Sequence, residues 1–105
     1  MPPAARRFTL DAYVLETLMP DLVGHDRRPS SFLTYLFLWA RSDGASGRTV
    51  TASHREIAEG TGLSRRAVQD ALAVLERRRL IGVERSRPTA VPAYSVLRPW
   101  ARRGA

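Results

Sequence analysis

The sequence predicts a mainly α-helical domain closed by a small β-hairpin, with a helical extension at its N-terminus. Three observations carry this reading. Residues 53–79, SHREIAEGTGLSRRAVQDALAVLERRR, have the pattern of two capped helices joined by a glycine turn. The apolar run FLTYLFLWA precedes them and suits a buried helix. After Leu80, two short alternating segments flank a basic, Pro-containing tip, as in a hairpin. At 105 residues and 44% hydrophobic, the chain suits a single domain with a single core.

The elements follow in order. Residues 1–7 are rich in Pro and Ala, carry two Arg, and read as a disordered arm. Residues 8–29 form the N-terminal extension. Within Phe8–Leu22, the apolar residues Val14, Leu15, Leu18 and Leu22 predict a short helix broken near Pro20. Gly24 to Pro29 reads as a loop. Ser30 or Ser31 then caps a helix reaching about Arg41, apolar almost all round through Phe32, Leu33, Tyr35, Leu36, Phe37, Leu38 and Trp39. Such a helix needs cover, either from the N-terminal helix or from a second copy of the chain. SDGASGR, from Ser42 to Arg48, is a flexible turn, and Thr49-Val50-Thr51 is a short extended segment.

Next comes the two-helix motif. Ser53 and Glu56 make a capping box, in which each side chain accepts from the other's amide. Gly62, in the Thr61-Gly62-Leu63 turn, tolerates a positive φ. Ser64 caps a second helix running to Arg79, with Val68, Ala71, Leu72 and Leu75 at i, i+3, i+4 and i+7. Two helices joined this way form a helix-turn-helix. Ile81–Arg85 and Ala93–Leu97 are the hairpin strands around the tip Ser86–Pro92. Residues 30–97 are therefore the main domain, and Arg98–Ala105 is a basic tail.

Charge gives the first indication of function. Residues 1–50 hold six Arg against five acids, and residues 51–105 hold eleven against five. The net charge of +7 thus lies almost wholly in the half carrying the motif, which favours a polyanionic partner. Arg65 and Arg66 occupy the first turn of the second helix, where the helix dipole disfavours cations. A negatively charged partner, such as the phosphate-edged major groove of DNA, reverses that sign. Every basic residue is Arg and Asn is absent, a pattern of GC-rich coding, so the position of the charge matters more than its type.

Other function classes are excluded or disfavoured. Cys is absent, which rules out a disulfide framework and a cysteine zinc site. No Gly-rich phosphate loop or metal-ligand spacing occurs, and His25-Asp26 reads as a loop hydrogen bond, so neither an enzyme, a metal site nor a cofactor is expected. Arg77-Arg78-Arg79 reads as dipole complementation and solvation at a helix end. No apolar run is long enough to cross a bilayer, and the N-terminus lacks the apolar stretch of a signal peptide. A cytoplasmic, nucleoid-associated protein without membrane contact is expected.

The order helix, short strand, two-helix motif and hairpin resembles a winged helix-turn-helix over Ser30–Leu97. Ile57, Ala58, Gly62, Leu63, Val68 and Ala71 fall where that pattern wants apolar, small, glycine and apolar residues. The run SRRAVQDALAVLERRRLI is similar to the SRxTVRxALxxLexxGLI run of GntR-type bacterial regulators, with Ala67 in place of Thr and Gln69 in place of Arg. It also resembles the helix-turn-helix domains of MarR-like proteins and of phage or plasmid replication proteins. The resemblance implies that Ser64, Arg65 and Gln69 face DNA.

The residues agree with this. On a helix buried through Val68, Ala71, Leu72 and Leu75, the exposed N-terminal positions include Arg65, Arg66 and Gln69. Arg reads guanine bidentately and Gln reads adenine. Thr51, Ser53 and Arg55 are candidate phosphate contacts. Arg85 and Arg87 flank the tip and suit a minor groove or the backbone. His54 reads as a surface histidine near that face. The expected function is a double-stranded DNA-binding transcriptional regulator with recognition helix Ser64–Arg79. The expected assembly is a homodimer formed through Phe8–Leu22 and Ser31–Arg41. A plasmid or phage replication or partition protein, and a winged-helix protein-interaction module, are the alternatives.

Overall fold

The computed structural model describes residues 6–101. Two π-helical stretches, Val14–Leu18 and Pro20–His25, run into one another through Met19 as a single N-terminal helix, residues 12–25. The break expected at Pro20 does not occur. Pro20 has no N–H to donate, and in an α-helix its ring would collide with the preceding turn. The helix widens instead. The Met19 amide donates to the Val14 carbonyl, and the Asp26 amide to the Asp21 carbonyl. Gly24 and His25, expected in a loop, belong to this helix.

Helix α1 spans Pro29–Arg41. Pro29 takes the first helical position, where a missing N–H costs nothing. Neither Ser30 nor Ser31 caps the helix. Ser31 is wholly buried instead, and its hydroxyl, like that of Thr34, has no partner. The apolar face of α1 is the centre of the domain. Phe32, Tyr35, Leu38 and Trp39 join one cluster with Val14, Leu18 and Leu22 of the N-terminal helix and with Val68, Leu72 and Leu75. The cover for α1 therefore comes from the chain itself on two sides. Its apolar surface is not fully enclosed, since Leu33 stays exposed and Leu36 and Phe37 are half-buried.

After α1 the backbone winds tightly through Asp43, Gly44 and Ala45, all with positive φ. Gly44 is required here, because a Cβ would lie 2.7 Å from the Thr9 carbonyl oxygen of the crossing N-terminal strand of chain. Strand β1, Val50–Thr51, leads to α2, His54–Thr61, and α3, Arg65–Arg77. Strands β2, Ile81–Glu84, and β3, Ala93–Val96, form the expected hairpin. It is joined by β1, giving an antiparallel sheet of order β1-β3-β2. Tyr94 lies opposite both Val50 and Val83 and is buried at the centre of the sheet. Among the described residues no helix is long and apolar enough to cross a membrane.

Helix α3 ends two residues before the expected Arg79. Arg79 adopts the left-handed conformation at φ 59°. Its amide donates to the Glu76 carbonyl, and the Leu80 amide donates to the Leu75 carbonyl. This is a Schellman closure, with Leu75 and Leu80 both buried beneath it. It turns the chain directly into β2.

The first and last described segments pack together. Of the residues read as an arm, 1–5 lie outside the described residues, and Arg6 donates to the Ala40 carbonyl and faces Asp43. Of those read as a tail, 102–105 lie outside the described residues. Arg98 and the Trp100 indole both donate to the Asp11 carboxylate, at 3.1 and 3.0 Å. The Trp100 ring stacks on Tyr13 at 4.5 Å and on Trp39 at 6.3 Å.

Arg78 is more than a solvated helix-end cation. Its guanidinium reaches Asp21 at 2.6 Å and also pairs with Asp26, bolting the N-terminal helix to the end of α3. His25 completes the group through its 3.1 Å hydrogen bond to Asp26.

Two outcomes follow from these end contacts. Arg79→Gly should stabilise the fold by about 1 kcal/mol in urea unfolding, because only glycine enters the left-handed region without a Cβ penalty. The hydrogen bond from His25 and the pairing with Arg78 hold the Asp26 carboxyl below its ordinary 3.8. Its contribution is therefore complete above that value and is lost as the pH falls through the lower, folded one. Arg78→Met at neutral pH should mimic this acid loss. Amide exchange should quicken in residues 12–25 while α2 keeps its protection; uniform protection in the variant would contradict the bolt.

Candidate nucleic-acid interface

The candidate surface is built where α2, α3 and the hairpin wing converge. Its geometry begins with capping. The Ser53 hydroxyl accepts from the Glu56 amide at 3.1 Å, and the Glu56 carboxylate accepts from the Ser53 amide at 2.8 Å. These bonds hold the Glu56 carboxyl below its ordinary value. The capping box therefore forms as its spacing predicts, and it commits Ser53 to local structure. Gly62 takes φ 83° between the helices, and the Thr61 hydroxyl accepts from the Leu63 amide at 3.2 Å. Ser64 then caps α3 by accepting from the Ala67 amide at 3.0 Å. Val68, Ala71, Leu72, Val74 and Leu75 are buried, so the start of α3 projects Arg65, Arg66 and Gln69 outward.

The charges on this surface fall into two groups. Arg55 is paired with Glu59 at 3.1 Å and Arg66 with Asp70 at 3.6 Å, one turn along their own helices. Arg65, Arg85 and Arg87 make no ion pair among the described residues. Arg85 follows β2 and donates to the Ala90 carbonyl across the wing at 3.3 Å. Arg87 stands at the tip, where the Ala90 amide closes a turn onto the Arg87 carbonyl with Pro88 inside it.

An open groove brings Ser53, His54, Arg55, Arg65 and Arg85 together against the wing backbone. Thr51 is set apart. It lies in β1 opposite Ala93, in a neighbouring groove that also holds Glu84. Gln69 lies one turn further along α3 than Arg65 and outside either groove.

His54, which the sequence places as a surface histidine near this face, lines the groove. It occupies the first position of α2 and is partly buried between Arg65 and Arg85. Burial, then the Arg85 charge, then the Arg65 charge hold its imidazole below the ordinary 6.5. The available signal was its place at a helix start beside a basic motif, but Arg85 is distant in sequence.

Two helices crossing at a glycine turn, a third helix beneath them and a three-stranded sheet with a basic wing define a winged helix-turn-helix. The chain belongs to the Helix-turn-helix domain family, which matches residues 28–81. That span begins at the N-cap of α1 and ends in the first residue of β2, so it covers the motif and its supporting helix. No curated protein and no solved structure matches the chain significantly.

Proposed function

We propose that this chain is a sequence-specific, duplex-DNA-binding transcriptional regulator that enters the major groove with the start of α3. The observation that carries the reading is the exposed first turn of α3, where Arg65 stands unpaired at the positive end of a helix dipole. Stability alone favours an acid there. In the groove, Arg65 and Gln69 read base edges, while Arg85 and Arg87 on the wing anchor to phosphates or the minor groove. Ser64 keeps its cap and offers the backbone amides of the helix start. Arg66 and Arg55 exchange their intrahelical acids for phosphates, a small cost because exposed pairs of this kind are weak.

The regulator acts as a homodimer. A single winged helix buries only about 600–1,000 Å² on DNA, too little for tight operator binding. Val14, Leu18 and Leu22 are used up against the chain's own α1. The surface left for a second copy is the stripe Leu15, Met19 and Val23, each exposed and four residues apart, together with Leu33. Two-fold pairing there sets two α3 helices in successive major grooves about 34–36 Å apart.

Affinity for duplex DNA should fall by about a thousandfold between about 50 and about 200 mM salt for about six phosphate contacts; a flat response would remove the nucleic-acid reading. Arg65→Ala should lose about 1–3 kcal/mol of discrimination at particular base pairs, whereas Arg85→Ala and Arg87→Ala should weaken all sequences alike. Binding constants against specific and scrambled sites separate these roles.

Sedimentation at micromolar concentration should show a dimer that Met19→Glu dissociates. A monomer at every concentration would end the two-fold proposal and leave the fold untouched.

A further inference from the structure

We infer that His54 and Arg85 form a phosphodiester clamp beside Arg65 that takes up a proton on closing over a nucleic-acid backbone, so that binding strengthens as the pH falls. The inference rests on the DNA-binding reading and adds to it a ligand atom, a residue and a linkage.

The groove supplies the geometry. Three elements contribute ionisable nitrogen groups: His54 and Arg55 from α2, Arg65 from α3 and Arg85 from the wing. The other charges facing His54 are already accounted for. Arg55 on its own helix is held by Glu59, and Glu56 is turned back onto the Ser53 amide. On α3, Arg66 is held by Asp70. On the wing side, Glu84 lines the neighbouring groove with Thr51, and Arg87 sits beyond at the tip. No carboxylate lines the groove that His54 shares with the guanidiniums of Arg55, Arg65 and Arg85.

Burial and the unpaired Arg85 and Arg65 beside it disfavour an imidazolium there, so the free protein keeps His54 neutral near pH 7. A phosphate oxygen in the groove reverses the sign of every pairwise interaction. It accepts from the Arg85 guanidinium and makes the protonated imidazole favourable. His54 stands at the first position of α2, where amides without helical partners also face an incoming anion. Proton uptake follows by linkage. Affinity begins to rise as the pH drops below the value His54 has in the complex, and levels off below the lower value it has in the free protein.

The chain has two histidines, so the assignment can be made by substitution. A fluorescent duplex of mixed sequence is titrated with the full chain at fixed ionic strength from about pH 7.5 to about pH 5.5. A one-unit rise in the His54 pKa corresponds to a limiting affinity gain of about tenfold, approached as the pH falls below the free protein's value. His54→Gln should abolish the slope, and His25→Gln, which removes the histidine beside Asp21 and Asp26, should retain it.

A second measurement needs no variant. The His54 ring protons, followed by NMR, should titrate at higher pH in the complex than in the free protein. A slope that persists in His54→Gln, or a His54 that titrates no higher when bound, overturns the clamp. Duplex binding without pH dependence in the unsubstituted chain overturns the clamp alone. No duplex binding at either pH overturns the proposed function and the clamp with it.

Discussion

The fold depends on the enclosure of α1. A helix whose faces are apolar nearly all round is stable in water only if several neighbours share the task of covering it. Here α3 covers one flank, the N-terminal helix another, and α2 and the sheet close the ends. Each neighbour is thereby fixed relative to the others through a common partner. Tyr35 shows how polar groups are fitted into this scheme. Its ring is fully buried and its hydroxyl donates to the Leu97 carbonyl beyond β3, at 2.9 Å. The position of α3, and so of its exposed start, is a consequence of how α1 is buried.

Electrostatics then acts on a scaffold that apolar packing has already set. At the end of α3, Arg78 is satisfied by two aspartates from the N-terminal helix. At the start, Arg65 has no acid among the described residues. One helix thus carries a cation in a favourable dipole field at its C-terminal end, with partners, and another in an unfavourable field at its start, without them. The first arrangement serves folding. The second has no acid beside it among the described residues.

What could be read from the sequence was local. Ser53 with Glu56, Gly62 and Ser64 act within three residues of themselves, and all take the expected geometry. The apolar spacing of α3 was equally legible, because a helix face is a short-range pattern. What could not be read was decided at a distance. Asp21 and Asp26 lie over fifty residues from Arg78. Thr49–Thr51 was visible as extended chain, but its pairing with Ala93 and Tyr94 needed the third dimension. Pro20 was read by its local rule and obeyed a different one, since widening to a π-helix kept Val14, Leu18 and Leu22 on the core. The left-handed Arg79 had no glycine to announce it. Ser53, Arg55, Arg65 and Arg85 were legible as candidate DNA contacts, but the groove they share with His54 was not, because its members come from three separate elements.

The stack of Trp100 between Tyr13 and Trp39 has an optical consequence. These are the chain's two tryptophans, and they lie with nearly parallel rings at the seam where the first and last described segments meet. Intrinsic indole emission is therefore a report on that seam. It is blind to the wing and to the start of α3, which carry no tryptophan. Opening of that seam would change the emission at once, whereas an event confined to the basic face would leave it silent. The molecule in this way carries a built-in channel that separates loosening of this seam from events at its charged surface, without any added label.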